Sequence, residues 1–271
     1  MQSQAIGLRT KGRMLGLVAT MGALHAGHLA LIRAARANCD TVIVSLYVNP
    51  SQFAPNEDFD HYPRQFQQDC DLCETEHVDI VFAPHDKEMY PSDFSTWVNE
   101  EKLSEGMCGA SRPGHFRGVC TVVTKLFNVC RPDVAYFGQK DAQQTAIIKR
   151  MVRDLNFHID IETVPTVRES DGLALSSRNS KLSVSQREEA LNMYQSLLSA
   201  KHLVKEGVLQ STRIEEEVRN HLQGNKHMHI IYINLVDKDS LVPQLEINPG
   251  QTLLAIACWI DDIRLIDNLI L

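Results

Sequence analysis

The sequence of 271 residues has no apolar run long enough to cross a membrane. Its longest apolar runs, such as LLAIACWI, fall far short of the roughly 20 residues that span a bilayer. The first residues, MQSQAIGLRTKGR, contain no apolar core of signal-peptide length. Together these absences predict a cytoplasmic protein that does not act at a membrane.

The sequence also lacks an excess of basic residues and a pattern of paired cysteines. Its net charge of −7 argues against a general nucleic-acid surface, so we expect no nucleic-acid partner. Seven cysteines are an odd number for a disulfide framework, and their spacing is irregular. Cys70 and Cys73 form a lone C-x-x-C with no second pair. We interpret them as reduced thiols on a helix that runs roughly from residue 60 to 77.

Short apolar runs rich in β-branched residues alternate with helical patterns through the first 165 residues. The runs are MLGLVAT, TVIVSLYV, VDIVFAP, VAYFG and IDIETVP. This rhythm is typical of a parallel sheet with helices on both faces, and such sheets bind ligands at the carboxyl ends of their strands. Thr20, Asn49 and Gly138 fall at those ends. We therefore predict an α/β, Rossmann-like domain over residues 1–165.

The pattern changes after about residue 166. The stretch RESDGLALSSRNSKLS is rich in turn residues, and helical patterning then runs from near Gln186 to about residue 222. Three strand-like runs follow, MHIIYINLVD, TLLAIACWI and IRLIDNLIL. This order predicts a second, smaller α+β domain over residues 166–271, which we expect to act as a lid.

The stretch LVATMGALHAGHLALIRAA places an H-x-G-H motif where a strand turns into a helix. Gly27 permits close approach of the backbone to a ligand, and the N–H groups of a helix start attract an anion. His25 and His28 are three residues apart, so both rings lie on one side of the turn and can donate to phosphate oxygens. A tight turn with two surface histidines is the alternative. Neither G-x-G-x-x-G nor a Walker loop is present, which argues against NAD-binding and P-loop folds.

Two later segments carry further groups that suit a nucleotide. In YFGQKDAQQTAIIKR, Lys140 adds positive charge near a helix start, and Asp141 can cap that helix or accept from a ribose hydroxyl. In LALSSRNSKLS, two serines precede Arg178, whose guanidinium can bind phosphate oxygens bidentately. An ordinary strand–helix junction and a polar linker are the alternatives.

Two other loops are candidates for contact with a second substrate. GASRPGHFRGV contains Arg112, His115 and Arg117 between glycines and a proline. VNPSQF places the amides of Asn49 and Gln52 directly after a strand, where they can read a hydroxyl or carboxylate or can simply cap a turn.

Taken together, the chain resembles the pantothenate synthetases (pantoate–β-alanine ligases), a family of nucleotidylyltransferases with the H-x-G-H motif. The resemblance covers nearly the whole length and rests on TMGALHAGH, VNPSQF, VDIVFAP, ASRPGHFRGV, FGQKDAQQ, DGLALSSRN and IRLIDN. It implies a Rossmann-like nucleotidyltransferase domain, a smaller C-terminal domain and a homodimer. It also implies that pantoate is joined to β-alanine with ATP and Mg²⁺, through a pantoyl-adenylate, with release of AMP and pyrophosphate.

The resemblance also implies roles for individual residues. His28, His25 and Lys140 are expected to be catalytic. Gln52 and Gln144 are expected to bind pantoate, and Gln52 also falls at the β-alanine position. No protein ligand of Mg²⁺ can be named. The expected ATP contacts are Met21, Gly22, Ala23, Leu24, His25, Ala26, Gly27, His28, Gly138, Gln139, Lys140, Asp141, Val167, Leu175, Ser176, Ser177 and Arg178.

Three positions depart from the usual pattern of this family. Ala19 stands in place of a proline, Gln139 in place of a glutamate, and Cys108 in place of an acid. None of them removes an expected phosphate ligand. A nucleotidylyltransferase that acts on a phosphorylated substrate and a catalytically silent nucleotide-binding protein remain alternatives. A class I tRNA-synthetase fragment is disfavoured because no basic anticodon-binding region follows.

Overall fold

The computed structural model describes residues 1–55, 57 and 59–271. These residues form two compact units. The N-terminal unit comprises Met1–Gly138 and Ile147–Pro165, and the C-terminal unit comprises Gln139–Ala146 and Thr166–Leu271. The segment Gln139–Ala146 therefore belongs with residues that begin twenty positions after its end.

The N-terminal unit is built on a parallel sheet, as the alternating pattern predicts. Over the described residues the sheet has five strands, β1 (Leu15–Thr20), β2 (Thr41–Leu46), β3 (Ile80–Phe82), β4 (Val134–Gly138) and β5 (Asp160–Val164). They lie in the order β3-β2-β1-β4-β5, and all of their pairings are parallel. The apolar runs of β1, the central strand, and of β2 beside it are almost entirely buried because helices can cover both faces of such a sheet.

The helices of the first 165 residues precede or connect these strands. They are α1 (Gln2–Arg9), α2 (Ala26–Asn38), α3 (Phe66–Thr75), α4 (Asp86–Met89), α5 (Met107–Ser111), α6 (His115–Cys130) and α7 (Ala142–Asp154). One of them, α1, was not predicted, because its sequence QSQAIGLR buries only Ala5 and shows little apolar periodicity. The two cysteines of the C-x-x-C lie on α3, where burial raises the pKa of Cys73 to about 11, so that this thiol is protonated at neutral pH.

The C-terminal unit combines two helices with an antiparallel sheet, which confirms the predicted α+β pattern. α8 (Val184–Lys205) and α9 (Ser211–Leu222) cover a sheet of β6 (Met228–Asp237), β7 (Thr252–Ile260) and β8 (Ile263–Ile270) in the order β6-β7-β8. Its core is made by Met193 and Leu197 of α8, Ile214 of α9 and the inner face of β7. Within the described ranges, each helix is too short or too polar to span a membrane.

The strand order places a topological switch point between β1 and β4. The chain builds outwards from β1 through β2 to β3, then returns to form β4 on the other side of β1. Open parallel sheets bind ligands at the carboxyl ends of the strands beside such a switch. The loop that contains the two histidines leaves β1 at this position, and the segment that contains Lys140 continues directly from the end of β4.

Candidate active site

At the start of α2, backbone N–H groups donate hydrogen bonds to the rings of both histidines of the H-x-G-H motif. The helix begins at Ala26, so His28 lies in its first turn and does not open it, and His25 is its N-cap. Gly27 N–H donates to Nδ1 of His25 at 3.1 Å, and His25 N–H donates to Nδ1 of His28 at 3.3 Å. The ring centroids are 4.1 Å apart. Since both Nδ1 atoms accept, each neutral ring carries its proton on Nε2 and presents that N–H as a donor.

A buried carboxylate holds the loop that precedes these histidines. Gly22 and Ala23 have φ angles of +80° and +51°, a left-handed conformation that only glycine adopts without strain. Ala23 N–H and Leu24 N–H donate to the two carboxylate oxygens of Asp69 at 2.9 and 2.8 Å. Asp69 lies on α3 and is 3% exposed. A Cβ at Gly22 would lie 2.9 Å from Asp69 Oδ2. The loop therefore needs a glycine at this position in order to bind the carboxylate.

The turn after β2 sets the direction of the Gln52 amide. Asn49, which is 1% exposed, donates from Nδ2 to Oε1 of Gln52 at 3.0 Å. Its Oδ1 accepts from Ser51 Oγ and from the hydroxyl of Tyr90, at 2.8 and 2.9 Å. Because Oε1 of Gln52 is an acceptor here, its Nε2 points the other way, towards Sδ of Met21 at 3.1 Å. This arrangement brings two of the predicted contacts, Gln52 and Met21, together.

The loop GASRPGHFRGV, at residues 109–119, packs against the same turn. Arg112 makes a bidentate ion pair with Glu57, with both N···O distances 2.6 Å. Burial alone would raise the pKa of Glu57, but the hydrogen bonds and charge of Arg112 lower it below its ordinary value. His115 lies between Arg112 Nη1 at 3.0 Å and the carbonyl of Gln52 at 2.8 Å. A Cβ at Gly118 would approach Ser51 O to 2.3 Å, so α6 packs directly on the turn.

In the C-terminal unit, the segment around Lys140 is a short 3₁₀ turn. It spans Gln139–Asp141 and ends directly before α7, so Asp141 immediately precedes the first residue of that helix. The Asn268 side chain donates to the carbonyls of Gln139 and Lys140 at 3.0 and 2.9 Å, and accepts from Gln139 Nε2 at 3.1 Å. Gln144 lies half-buried in the first turn of α7.

The two other predicted ATP segments of this unit are paired with each other. Leu175 N–H donates to the carbonyl of Val167 at 3.0 Å, and Arg168 and Ala174 form an isolated antiparallel bridge. Beyond this bridge, Ser176 Oγ accepts from Arg178 N–H at 3.2 Å. Val167 and the loop from Leu175 to Arg178 therefore form one local structure rather than two independent loops.

Three comparisons with known proteins identify the family of this chain. The sequence model of the pantoate-beta-alanine ligase family matches residues 1–270. The pantothenate synthetase of Thermotoga petrophila is 52% identical over 97% of this chain and 94% of its own length, and that of Thermotoga neapolitana is 53% identical over the same shares.

The chain belongs to the pantoate–β-alanine ligase family.

The structures of this family also match over nearly their full length. The crystal structure of pantothenate synthetase from Thermus thermophilus superimposes with a TM-score of 0.93 at 41% identity, and covers 98% of this chain and 97% of its own. The pantoate–β-alanine ligase of Francisella tularensis, crystallised with Beta-gamma ATP and Beta-alanine, gives a TM-score of 0.78 at 34% identity over 99% and 95% of the two chains. The predicted family and fold class are therefore confirmed.

Several residues that shape this candidate site were not singled out from the sequence. Asp69, Glu57 and Tyr90 each act through a partner that is 20 or more positions away in the chain. Of these, only Asp69 could have been noticed in the sequence, because an acidic residue on the buried side of an amphipathic helix is unusual. Cys108, the residue that replaces an acid in this family, is buried on α5.

Proposed function

We propose that this chain catalyses the ATP-dependent condensation of pantoate with β-alanine to pantothenate, through a pantoyl-adenylate. Family membership over residues 1–270 carries the proposal. The tautomer of the two H-x-G-H histidines supports it, because two Nε2–H donors, one at the N-cap and one in the first turn of a helix, suit an anionic substrate. The Francisella relative was crystallised in complex with Beta-gamma ATP and Beta-alanine.

In the first step, the pantoate carboxylate attacks the α-phosphorus of ATP and pyrophosphate leaves. Two anions meet in this step, so catalysis is mainly positioning and neutralisation of charge. We assign hydrogen bonds to the triphosphate to His25, His28, Lys140 and Arg178. The Met21–His28 loop, Gly138–Asp141, Val167 and Leu175–Ser177 supply the other ATP contacts of the proposal.

In the second step, the neutral amine of β-alanine attacks the carbonyl of pantoyl-adenylate. AMP leaves with the electron pair of the broken C–O bond, and the new amide loses a proton to solvent. Gln52 and Gln144 are assigned to pantoate, and Gln52 also to β-alanine. The mixed anhydride hydrolyses in water, and we propose that the C-terminal unit with its Ser176–Arg178 loop shields it.

Magnesium enters this scheme with ATP, as part of the substrate. Among the residues that the structure describes, no three His, Cys, Asp or Glu side chains are grouped to hold a metal ion. The phosphate oxygens themselves are hard ligands of the kind that Mg²⁺ prefers. A homodimer and a cytoplasmic location stay predictions.

The test of the proposed function is exchange of labelled pyrophosphate into ATP. We expect exchange that requires pantoate and proceeds without β-alanine, because adenylation is reversible. Addition of β-alanine should then yield pantothenate and AMP in equal amounts. Exchange that is independent of pantoate, or that requires a phosphorylated acceptor, would instead identify a nucleotidylyltransferase of another specificity.

Asp69→Asn tests the loop that presents the histidines. The amide has the shape of the carboxylate but only one acceptor oxygen, so one of the two loop N–H groups loses its partner. A hydrogen bond to a charged group contributes about 1.5–3 kcal/mol, and we expect pantoate-dependent exchange to fall by about tenfold or more. Asp71→Asn, at an exposed position of the same helix, is the matched control. Equal exchange rates in the two variants would refute this role of Asp69.

A further inference from the structure

The sequence motif IRLIDN, at residues 263–268, has no part in the chemistry assigned above. It lies on β8, an edge strand of the C-terminal sheet, and ends in two polar residues. Asp267 and Asn268 are each 4% exposed, which is unusual for such side chains. Since successive strand residues point to opposite faces, the two side chains reach different neighbours. Both neighbours are segments to which the proposed function assigns ATP contacts.

Asn268 binds the turn that carries Lys140. Its two Nδ2 hydrogens are donated to the carbonyls of Gln139 and Lys140, and its Oδ1 accepts from the side chain of Gln139. These three bonds, at 2.9–3.1 Å, use both donors and one acceptor position of the amide, so its orientation is fixed. Two successive peptide planes of the turn are thereby held, and with them the position from which the Lys140 side chain leaves the backbone.

Asp267 binds the segment that follows Val167. Its carboxylate pairs with both terminal nitrogens of Arg168, at 2.6 and 2.9 Å. The same guanidinium donates to the carbonyl of Gly172 at 3.1 Å and lies 3.7 Å from the ring centroid of Tyr194. Gly172 has a φ of +100°, and a Cβ there would lie 2.6 Å from the Tyr194 ring.

This ion pair stabilises the pairing of two ATP segments. Arg168 forms the isolated bridge with Ala174, next to the hydrogen bond from Leu175 N–H to Val167 O. A planar guanidinium held by a carboxylate, a carbonyl and an aromatic face has one orientation, unlike a solvated arginine. The positions of Val167 and of the loop up to Arg178 therefore depend on Asp267.

We propose that Asp267 and Asn268 are positioning residues, and that together they hold the ATP-contacting segments of the C-terminal unit in the geometry that binds the nucleotide. The inference rests on the proposed function, because that function assigns ATP to Lys140, Val167 and Arg178. It gives the end of the IRLIDN motif a role in binding and adenylation rather than in general stability of the sheet.

The test compares Asn268→Ala, Asn268→Asp and Asp267→Asn with wild type in pantoate-dependent pyrophosphate exchange. Misplacement of a binding group by about 1 Å costs up to about 10²-fold, and we expect the KM for ATP to rise at least about tenfold in each variant. The KM for β-alanine in the complete reaction should stay within about twofold. The rise in Tm that saturating ATP gives to wild type should shrink in the variants.

Asn225→Ala is the matched control for loss of stability. Its amide also donates to a backbone carbonyl, that of Leu222, and accepts from Asn192 in the same unit, but it touches none of the ATP segments. We expect a lower Tm in this variant with an unchanged KM for ATP. Asn268→Asp keeps the size of the side chain, so it addresses the same contacts if Asn268→Ala does not fold.

The outcomes separate the inference from the proposed function. If the Asn268 and Asp267 variants lower Tm like Asn225→Ala but leave the KM for ATP and the exchange rate unchanged, the positioning role is refuted. If wild type itself shows no pantoate-dependent exchange, the proposed function fails. The positioning role of Asp267 and Asn268 is then judged by the ATP-induced rise in Tm alone, which must be present in wild type and reduced in the variants.

Discussion

His28→Ala should slow pantoyl-adenylate formation by about two orders of magnitude or more. Loss of one preorganised donor to a transition state costs about 3–4 kcal/mol in well-studied cases, which is 10²–10³-fold in rate. The structure supports a donor role rather than that of a base. His28 Nδ1 accepts from the backbone of His25, so its proton is on Nε2, and the ring cannot take up a second proton without losing that bond. The measurement is the rate of pantoate-dependent pyrophosphate exchange.

Two amide variants distinguish the ring nitrogens. In His28→Gln the amide nitrogen lies near the former Nε2, so it can donate to phosphate, and we expect partial recovery of exchange. In His28→Asn the amide is closer to the former Nδ1, and we expect no recovery. Preformed pantoyl-adenylate should react with β-alanine in His28→Ala at a rate much closer to wild type. If this half-reaction slows as much as the overall reaction, His28 acts in acyl transfer and the donor assignment is wrong.

The parallel sheet was predictable because its strands are continuous apolar runs separated by helical patterns. Such runs are required wherever a strand is buried on both faces, as β1 and β2 are. Helix α1 was not predictable in the same way, since only Ala5 of its eight residues is buried. Its position is set instead by long-range contacts, such as the bond from Gln2 to the carbonyl of Asn128 and the ion pair of Arg9 with Asp133.

The candidate site was predictable where its chemistry lies within one short motif. In the H-x-G-H stretch and the N-P-S-Q turn, the candidate functional side chains and the groups that hydrogen-bond to them lie within three positions of each other in the chain. The tautomer of His28 was not predictable, because it depends on the N-cap at His25 and on the true start of α2 at Ala26. Asp69 and Asn268 were also missed, since the backbone groups they bind are 45 and 128 positions away.

Gln139 shows how a departure from the family pattern is accommodated. The family usually has glutamate here, whereas the amide of this chain donates to Oδ1 of Asn268. A carboxylate has no hydrogen to donate at neutral pH, so it cannot make this bond in the same orientation. The two carbonyl bonds of Asn268 do not involve the side chain of residue 139. The substitution therefore leaves the turn around Lys140 intact.

Lys140→Ala should lower the rate of adenylation by about 10²-fold while leaving the fold unchanged. Lys140 is half-buried, and its backbone is held by Asn268 through the carbonyl oxygen, so truncation of the side chain leaves the turn in place. Hydrogen bonds to charged groups contribute about 1.5–3 kcal/mol each, and an ammonium can donate to both the β- and the γ-phosphate. Lys149→Ala, at an exposed position on α7, is the control for loss of one positive charge.

The KM for pyrophosphate in the exchange reaction tells which phosphates Lys140 contacts. If the ammonium binds the β- and γ-phosphates, it also binds the pyrophosphate that leaves, so Lys140→Ala should raise the KM for pyrophosphate as well as lower the rate. Lys140→Arg keeps the charge but replaces a compact ammonium with a planar fork, and should restore only part of the activity. An unchanged KM for pyrophosphate beside a slow rate would place the contact at the α-phosphate. An intact rate in Lys140→Ala would remove Lys140 from the site altogether.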